Sequence, residues 1–537
     1  MKNSTFNSSI KHLAFAGAFL LASCGSTAPI LSTPIENIDQ TPTKFSELTE
    51  TEKKRWSHFD LKKDTIPGVS LNLAYDQVVK PNSKTVIVAV IDSGIDITHE
   101  DLKNNIWINE DEIPNNGIDD DKNGYVDDVN GWNFLGDADN EQLEFVRILA
   151  SKNTSHPKYN EAQETYNKER KKYTELKQQY SSILEQINTA EKAILNYLKK
   201  DSFTKEDVYN IKTKDQSLAR DVSIIKQSYG FGYDSIEDLK KDLNRDLKSF
   251  NERLDYNLNI DFDGRSIVKD DPNDLNDRNY GNNNVMPKKG RSHGTHVSGI
   301  IAATRNNGIG INGAANNVKI MAIRNTPNGD EYDKDVALGV YYAVDNGAKV
   351  INMSFGKGFS NHSDWVRDAI AYAAKNDVLI VAAAGNDGNN SDQVENYPND
   401  QIGTGAEISN TFLRVGATTN DYSSGLVASF SNYGKSSVDV FAPGTEIYST
   451  YPKNEYEFAQ GTSMASPLVA GVAALLFSQY PKLSAAQVKT ILMKSGLPIQ
   501  KKVSLGNGST VEFSGLCKSG KLVNAYNALI MASKISK

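Results

Sequence analysis

The chain has 537 residues, 39% of them hydrophobic, with 59 Lys and Arg against 67 Asp and Glu, for a formal net charge of −8 at pH 7. That is enough apolar sequence for a large soluble body with a substantial core, and length alone suggests about three domains. The mild acidity and the absence of any basic stripe exclude nucleic acid as the partner.

At the amino end, Lys2 and Lys11 precede an apolar stretch over 13–22 that closes on Leu21, Ala22, Ser23 and Cys24. This resembles a bacterial lipoprotein signal, with cleavage before Cys24 and lipid on its sulfur and new amino terminus. The apolar run is too short for a permanent bilayer span. An ordinary secretory peptide cut nearby is the other reading. The lipoprotein resemblance of 1–23 implies a protein of the bacterial cell envelope, lipid-anchored through Cys24, with the periplasmic or surface face of the outer membrane as the expected location. Cys517 is then left without a partner, and no disulfide is expected. Residues 24–55, rich in Ser, Thr and Pro to about residue 43, read as a flexible tether, with folded sequence from Trp56.

The span 56–140 carries the first chemistry. Residues 86–91 form an unbroken β-branched and apolar run, which predicts a fully buried parallel strand. Asp92 follows where that strand ends, at the sheet edge where open α/β folds collect their reactive groups. Alone it reads equally as a turn cap, and Asp96 is a rival. Further on stands NNGIDDDKNGYVDD. Asp119, Asp121, Asn123 and Asp127 occupy the first, third, fifth and ninth places of an EF-hand-like loop, with Gly124 sixth and the Tyr125 carbonyl seventh, a spacing that wraps one hard cation in oxygen. The twelfth place is Asn130, so Asp128 or another segment must complete the shell. A structural Ca2+ in non-EF-hand geometry is expected. The competing reading is a solvated acidic turn.

Residues 141–260 read as a helical insertion. Tyr159, Tyr166, Tyr173, Tyr180, Ile187 and Ile194 recur every seven residues with Lys and Glu between them, a coiled-coil pattern. Thr204 and Asp207 resemble a capping box, and Ile236, Leu239, Leu243, Leu247, Phe250 and Leu254 form a second stripe. The expectation is an antiparallel helical hairpin projecting from the body, either a plain surface elaboration or an arm that docks a protein partner or gates substrate.

The last span, 261–537, completes the set. SHGTHVSGI contributes His293, with His296 read as a structural neighbour. Zinc is rejected because the pair lacks His-Glu-x-x-His spacing and a third ligand. GIGING at 308–313 matches a dinucleotide pattern by letter yet follows a helix, so it reads as a turn. A buried strand over 350–353 leads into Ser354, Phe355 and Gly356, and a second run over 378–384 delivers Ala384, Gly385 and Asn386 to the same edge. GTSMASPLVAG then sets Ser463 just before an apolar helix, where free N–H groups and the helix dipole favour developing negative charge. A hydroxyl is a weak nucleophile unless an imidazole takes its proton and a carboxylate orients that imidazole, and Asp92, His293 and Ser463 supply all three.

The strings VAVIDSGID, SHGTHVSGI, VAAAGNDG and GTSMASP, in that order, resemble the subtilisin family over roughly residues 65–140 and 261–495. The resemblance implies a doubly wound α/β core, a mostly parallel sheet with helices on both faces. It also implies peptide-bond hydrolysis through an acyl-enzyme on Ser463, with Asp92 orienting, His293 as base and then acid, and Asn386 in the oxyanion hole. By the same resemblance Ser354, Phe355 and Gly356, with Ala384 and Gly385, would pair with the backbone of a polypeptide substrate. Asp101 and the Asn306–Asn307 loop would form a further calcium site. The interval before the first strand looks too short for the folding-assisting prodomain many such proteases carry. A lipid-anchored scaffold that keeps a disused site is the alternative.

Overall fold

The computed structural model describes residues 33–536 apart from 40, 43, 45, 82, 289 and 404. The signal-like segment, Cys24 and the first part of the tether therefore lie outside the described residues. The apolar run after Thr85 becomes β1 (Val86–Asp92). It is followed by β2 (Gly131–Asn133), β3 (Val318–Arg324), β4 (Val350–Met353), β5 (Leu379–Ala383), β6 (Phe412–Thr418) and β7 (Val440–Pro443). Their spatial order is β7-β6-β5-β4-β1-β3-β2, every pair parallel, with Ile91 opposite Ile323 on one side and Met353 on the other. Short segments Lys521–Leu522 and Leu497–Pro498 extend the β7 edge. Two apolar layers explain why these strands carry no polar face. Val86, Val88 and Val90 of β1 enter one core, and Ala89 and Ile91 the other.

Between β2 and β3 the chain leaves the sheet through α1 (Glu144–Ala150), α2 (Tyr159–Leu198), α3 (Gln216–Gly230) and α4 (Ile236–Glu252). At 40 residues, α2 is about 60 Å long. Lys240 pairs with Glu191 at 2.8 Å, and the Phe250 ring meets Tyr180 and Tyr173 at 5.1 and 6.0 Å, so α4 returns antiparallel along α2 as the two stripes predict. The far end holds more than two limbs. The short helix Lys205–Asn210 folds back along α3, Lys205 lying over Tyr229 and Lys226 over Tyr209. These layers bury Ile187, Ala190, Ile194, Val222 and Ile225 in a core of the arm's own. A second small cluster, Leu143, Phe145, Ala162 and Leu258, seals its root.

The chain re-enters at α5 (His293–Ala302), followed by α6 (Asp333–Asp345), α7 (Ser363–Lys375) and α8 (Thr462–Gln479). α5 and α8 pack on one face of the sheet, and α6 and α7 on the other. α8 is long and apolar enough to cross a membrane, yet it is buried in the core, packed against strands and α5. A hairpin, β8 (Ile447–Tyr451) with β9 (Glu455–Ala459), leans on α5.

The expected start of ordered sequence at Trp56 needs correction. Within the 24–55 tether, Ile38 is 1% exposed, Ile35 exchanges backbone hydrogen bonds with the Asn527 side chain, and Thr49 with Glu52 caps a helical turn. Single apolar anchors in a Thr- and Pro-rich stretch have no periodicity, so nothing local marks them.

Candidate active site

Asp92, 1% exposed, ends β1, and α5 crosses that end with His293 as its first residue. The crossing is close because residue 294 is glycine. A side chain there would begin 2.4 Å from the Gly94 carbonyl oxygen and 3.1 Å from Asp92 Cβ. His293 Nδ1 consequently lies 2.8 Å from Asp92 Oδ1 and 3.0 Å from Oδ2. The Ser93 N–H holds the same carboxylate at 2.7 Å. The surrounding protein partly desolvates the ring and so disfavours a charged imidazole, but the Asp92 charge and hydrogen bond outweigh this and hold the His293 pKa above the ordinary histidine value. Its side chain keeps 40% exposure, so the ring is open to solvent away from Asp92.

Ser463 sits in the first turn of α8. Pro467, four residues on, has no N–H to give the Ser463 carbonyl, which a regular helix would require. The Ser354 hydroxyl replaces it, donating to Ser463 O at 3.0 Å. In return Ser463 Oγ donates to the Ser354 carbonyl at 2.9 Å, so in this conformer its hydrogen is directed there rather than to the imidazole. Asn386 Oδ1 accepts from the Thr462 N–H at 2.9 Å and the Thr462 hydroxyl at 3.0 Å, which turns its Nδ2 outward. Gly461, at φ +149°, leaves the space between the donors free. The point where a side chain would begin lies 3.5 Å from both Asn386 Nδ2 and Ser463 N. Two N–H donors, the Asn386 amide and the Ser463 backbone, therefore flank one small volume.

The other singled-out residues frame this point. Ser354 is buried, with its hydroxyl committed to α8 and its carbonyl accepting from Ser463 Oγ. Phe355 is 9% exposed, and Lys357, after Gly356, pairs backbone to backbone with Tyr397. The Ala384 carbonyl is held by Arg414 and Asn432, and the Gly385 N–H donates to the Thr462 hydroxyl at 3.1 Å. Sequence reasoning missed Asn432, whose Oδ1 accepts from the N–H groups of Asp387 and Asn389 and fixes the Asn386 loop. It also missed Asn396, whose amide lies between the two segments, 3.2 Å from where side chains on Gly356 and Gly385 would begin. Neither asparagine sits in a recognisable string. His296 is 3% exposed, bonded to the Glu457 carbonyl, and held at a pKa of about 4 by burial.

The acidic loop is assembled differently from its spacing. Asp119 and Asp121 converge with Glu112, their oxygens within 4.8 Å of one another. Asp127 is not part of this group, and its two oxygens accept the N–H groups of Asn116 and Gly117. Asp128 is likewise taken, by Tyr342, Asn109 and Asn123. Asn123 donates its amide to Asp121 and Asp128, and the Tyr125 ring packs on Trp132 and Tyr342. Glu112, from the preceding segment, is 5% exposed with Oε2 unpartnered, and burial raises its pKa. A buried carboxylate with one oxygen unpartnered, close to two further carboxylates, suits a hard cation. Asp101 is less open, both its oxygens engaged by Thr304, Asn307 and Ile311.

With that geometry in place, the family model described as "Subtilase family" matches residues 83–513. The chain belongs to the subtilases. Thermitase of Thermoactinomyces vulgaris is 46% identical over 198 residues, 37% of this chain and 65% of thermitase. Subtilisin DY of Bacillus licheniformis is 39% identical over 221 residues, 41% of this chain and 75% of that protein. The cell wall-associated protease of Bacillus subtilis strain 168 is 42% identical over 215 residues, 40% of this chain and 22% of that much longer protein. The chain thus spans less than two thirds of thermitase and a smaller part of the cell wall-associated protease. Subtilases generally bind structural calcium, and this member has an acidic group suited to it. The parallel sheet with helices on both faces is the doubly wound subtilase core.

Proposed function

We propose that this subtilase is a serine endopeptidase of the bacterial cell envelope. The observation that carries the reading is the Asp92–His293 hydrogen bond, taken together with a serine at a helix amino terminus whose N–H and the Asn386 amide flank one volume. Binding of substrate turns the Ser463 hydroxyl from the Ser354 carbonyl to His293 Nε2, a change of side-chain rotamer. His293 takes the proton as Oγ attacks the scissile carbonyl. The oxygen that becomes negative is met by Ser463 N–H and Asn386 Nδ2. His293, charged and steadied by Asp92, passes its proton to the amine nitrogen as the C–N bond breaks, leaving an acyl-enzyme. Water, deprotonated by His293, then releases the acyl group. Ser354, Phe355 and Gly356 on one side carry the backbone read as pairing with an extended polypeptide, and Ala384 and Gly385, whose own backbone groups are bonded within the protein, wall the groove on the other.

A fluorophosphonate probe tests the reading. Covalent labelling of Ser463 in the native protein is expected, and a folded protein that never labels would favour the scaffold reading. Asn386→Ala is expected to lower kcat on the order of 10²–10³ with little change in KM, since the amide meets charge only in the transition state. Equal activity in that variant would remove Asn386 from the oxyanion hole.

Glu112, Asp119 and Asp121 would hold a calcium ion, whose two positive charges would offset most of the negative charge of the three carboxylates and tie two segments together. Calcium at about 100 times its Kd should add about 2.7 kcal/mol of stability. The expected result is a Tm raised by calcium and lowered by chelator in the native chain, and a Tm indifferent to calcium in Glu112→Gln. A native Tm that calcium does not move would set the site aside. Attachment through lipid on Cys24 follows from the signal-like segment, and the relative described as cell wall-associated supports an envelope location. Mass analysis of the mature amino terminus tests it. Residues 141–260 are read as an insertion between the two parts of the catalytic domain, 56–140 and 261–537.

A further inference from the structure

Two loops flank Asp92 at the sheet edge. One follows β3, and its Asn325 and Thr326 N–H groups donate to the Asp92 carbonyl at 3.0 and 3.2 Å. The other follows β4 and runs through Ser354 to Phe359. Lys357 joins them, its Nζ donating to the Glu331 carbonyl at 2.7 Å. The outer edge of the first loop is already paired. Asn328 N–H donates to Asp139 O at 2.7 Å, Glu141 N–H to Asn328 O at 3.0 Å, and Asp330 N–H to Gln142 O at 3.3 Å. Asn257, on the return from α4, donates to the carbonyls of both Glu141 and Asn328. The root of the arm thus occupies that edge.

α1 then holds both loops at once. The Glu144 carboxylate, 2% exposed, accepts from Lys357 Nζ at 2.8 Å, from Asn361 Nδ2 at 2.6 Å and from Arg147. Arg147 donates to the Asp330 and Glu331 carbonyls at 2.9 and 3.0 Å, and the Glu144 N–H to the Asp330 carboxylate at 2.8 Å. The Phe145 ring packs on Phe359, centroids 5.8 Å apart. Ionised groups are almost never fully buried unless paired. An arm merely attached to the surface needs only an apolar seat, whereas a saturated carboxylate fixes direction as well as distance. Here it fixes the second loop against the first through Lys357, the residue next to the segment read as peptide-binding.

We propose that Glu144, at the root of the helical arm, is a positioning residue of the peptide groove. It holds residues 354–356 in register with residues 328–331, so that substrate residues away from the scissile bond are gripped between the two loops. The arm is then part of substrate binding. The inference rests on the peptidase reading of Ser463, and its test separates the two.

Full-length Glu144→Gln is compared with the native chain in three measurements: the rate of fluorophosphonate labelling, kcat/KM for a single-residue ester, and kcat/KM for peptides of increasing length. Labelling and ester hydrolysis are expected within about twofold of native, while the gain in kcat/KM that accompanies longer peptides falls about tenfold or more. A retained length gain, or ester and peptide activities falling in the same ratio, overturns the proposal. A native chain that neither labels nor cleaves overturns the peptidase reading instead. Should Glu144→Gln not fold, Asn361→Ala removes one Glu144 partner from an exposed position. About a threefold loss of the length gain is expected there, and no loss counts against the proposal.

Discussion

Ser463→Ala is expected to reduce peptidase activity to a trace while leaving the fold and Tm close to native. Members of a nucleophile, base and orienter act as a unit, and removing the nucleophile costs on the order of 10⁶ in kcat, a magnitude established in subtilisin rather than calculated for this chain. The structure explains why stability should survive. The hydroxyl makes one hydrogen bond, to the Ser354 carbonyl, and its loss costs about 1–3 kcal/mol at most. The bond that compensates for Pro467, from Ser354 Oγ to the Ser463 carbonyl, uses the backbone and is kept. The N–H donors of Ser463 and Asn386 are also kept, so a residual rate above water is expected. Peptide cleavage followed by mass spectrometry, with calorimetry on the same sample, checks both halves. Native-like turnover in the alanine variant would end the mechanism.

Asp92→Asn should fold yet lose on the order of 10⁴ in kcat. The native carboxylate accepts the Nδ1 hydrogen of His293 and so leaves Nε2 free to act as the base. An amide in its place can present its N–H₂ to Nδ1 and select the opposite tautomer. The pH dependence gives a second readout. In the native chain the Asp92 charge holds His293 above the ordinary imidazole value of about 6.5. Because the working form is neutral, kcat/KM rises as pH rises through that elevated pKa, placing the acid limb above about 6.5. In the asparagine variant burial acts on the ring without the opposing charge, so the acid limb of the residual activity moves to lower pH. An unmoved limb would show that Asp92 does not set the histidine's titration.

The reactive strings were legible because each lies on a local signal. A β-branched run ends at Asp92, a small-residue string opens the apolar helix at Ser463, and a heptad stripe marks α2 and α4. The acidic loop shows where such signals stop. Spacing selected Asp127, but the chain bends so that Asn116 and Gly117 claim both its oxygens, and Glu112, outside any motif, supplies the third carboxylate. Ile35 and Ile38 were passed over for the same reason, since one or two apolar residues form no pattern until the surface that receives them exists.

What the amino-acid sequence by itself determined is the set of elements and their chemical content. These are the buried parallel strands, the helices that cover them, the inserted arm, and the Asp, His, Asn and Ser placed at strand and helix ends. Periodicity and short strings encode these because they depend on neighbours a few residues apart. Only the tertiary structure decided the contacts between distant segments: the 2.8 Å link from Asp92 to His293, the Ser354 hydroxyl standing in for the N–H that Pro467 lacks, and Glu144 locking Lys357 and Asn361 to the root of the arm. Such pairings arise from packing in three dimensions, and a buried charge or an orphaned carbonyl finds its partner wherever the fold brings one, whatever the separation along the chain.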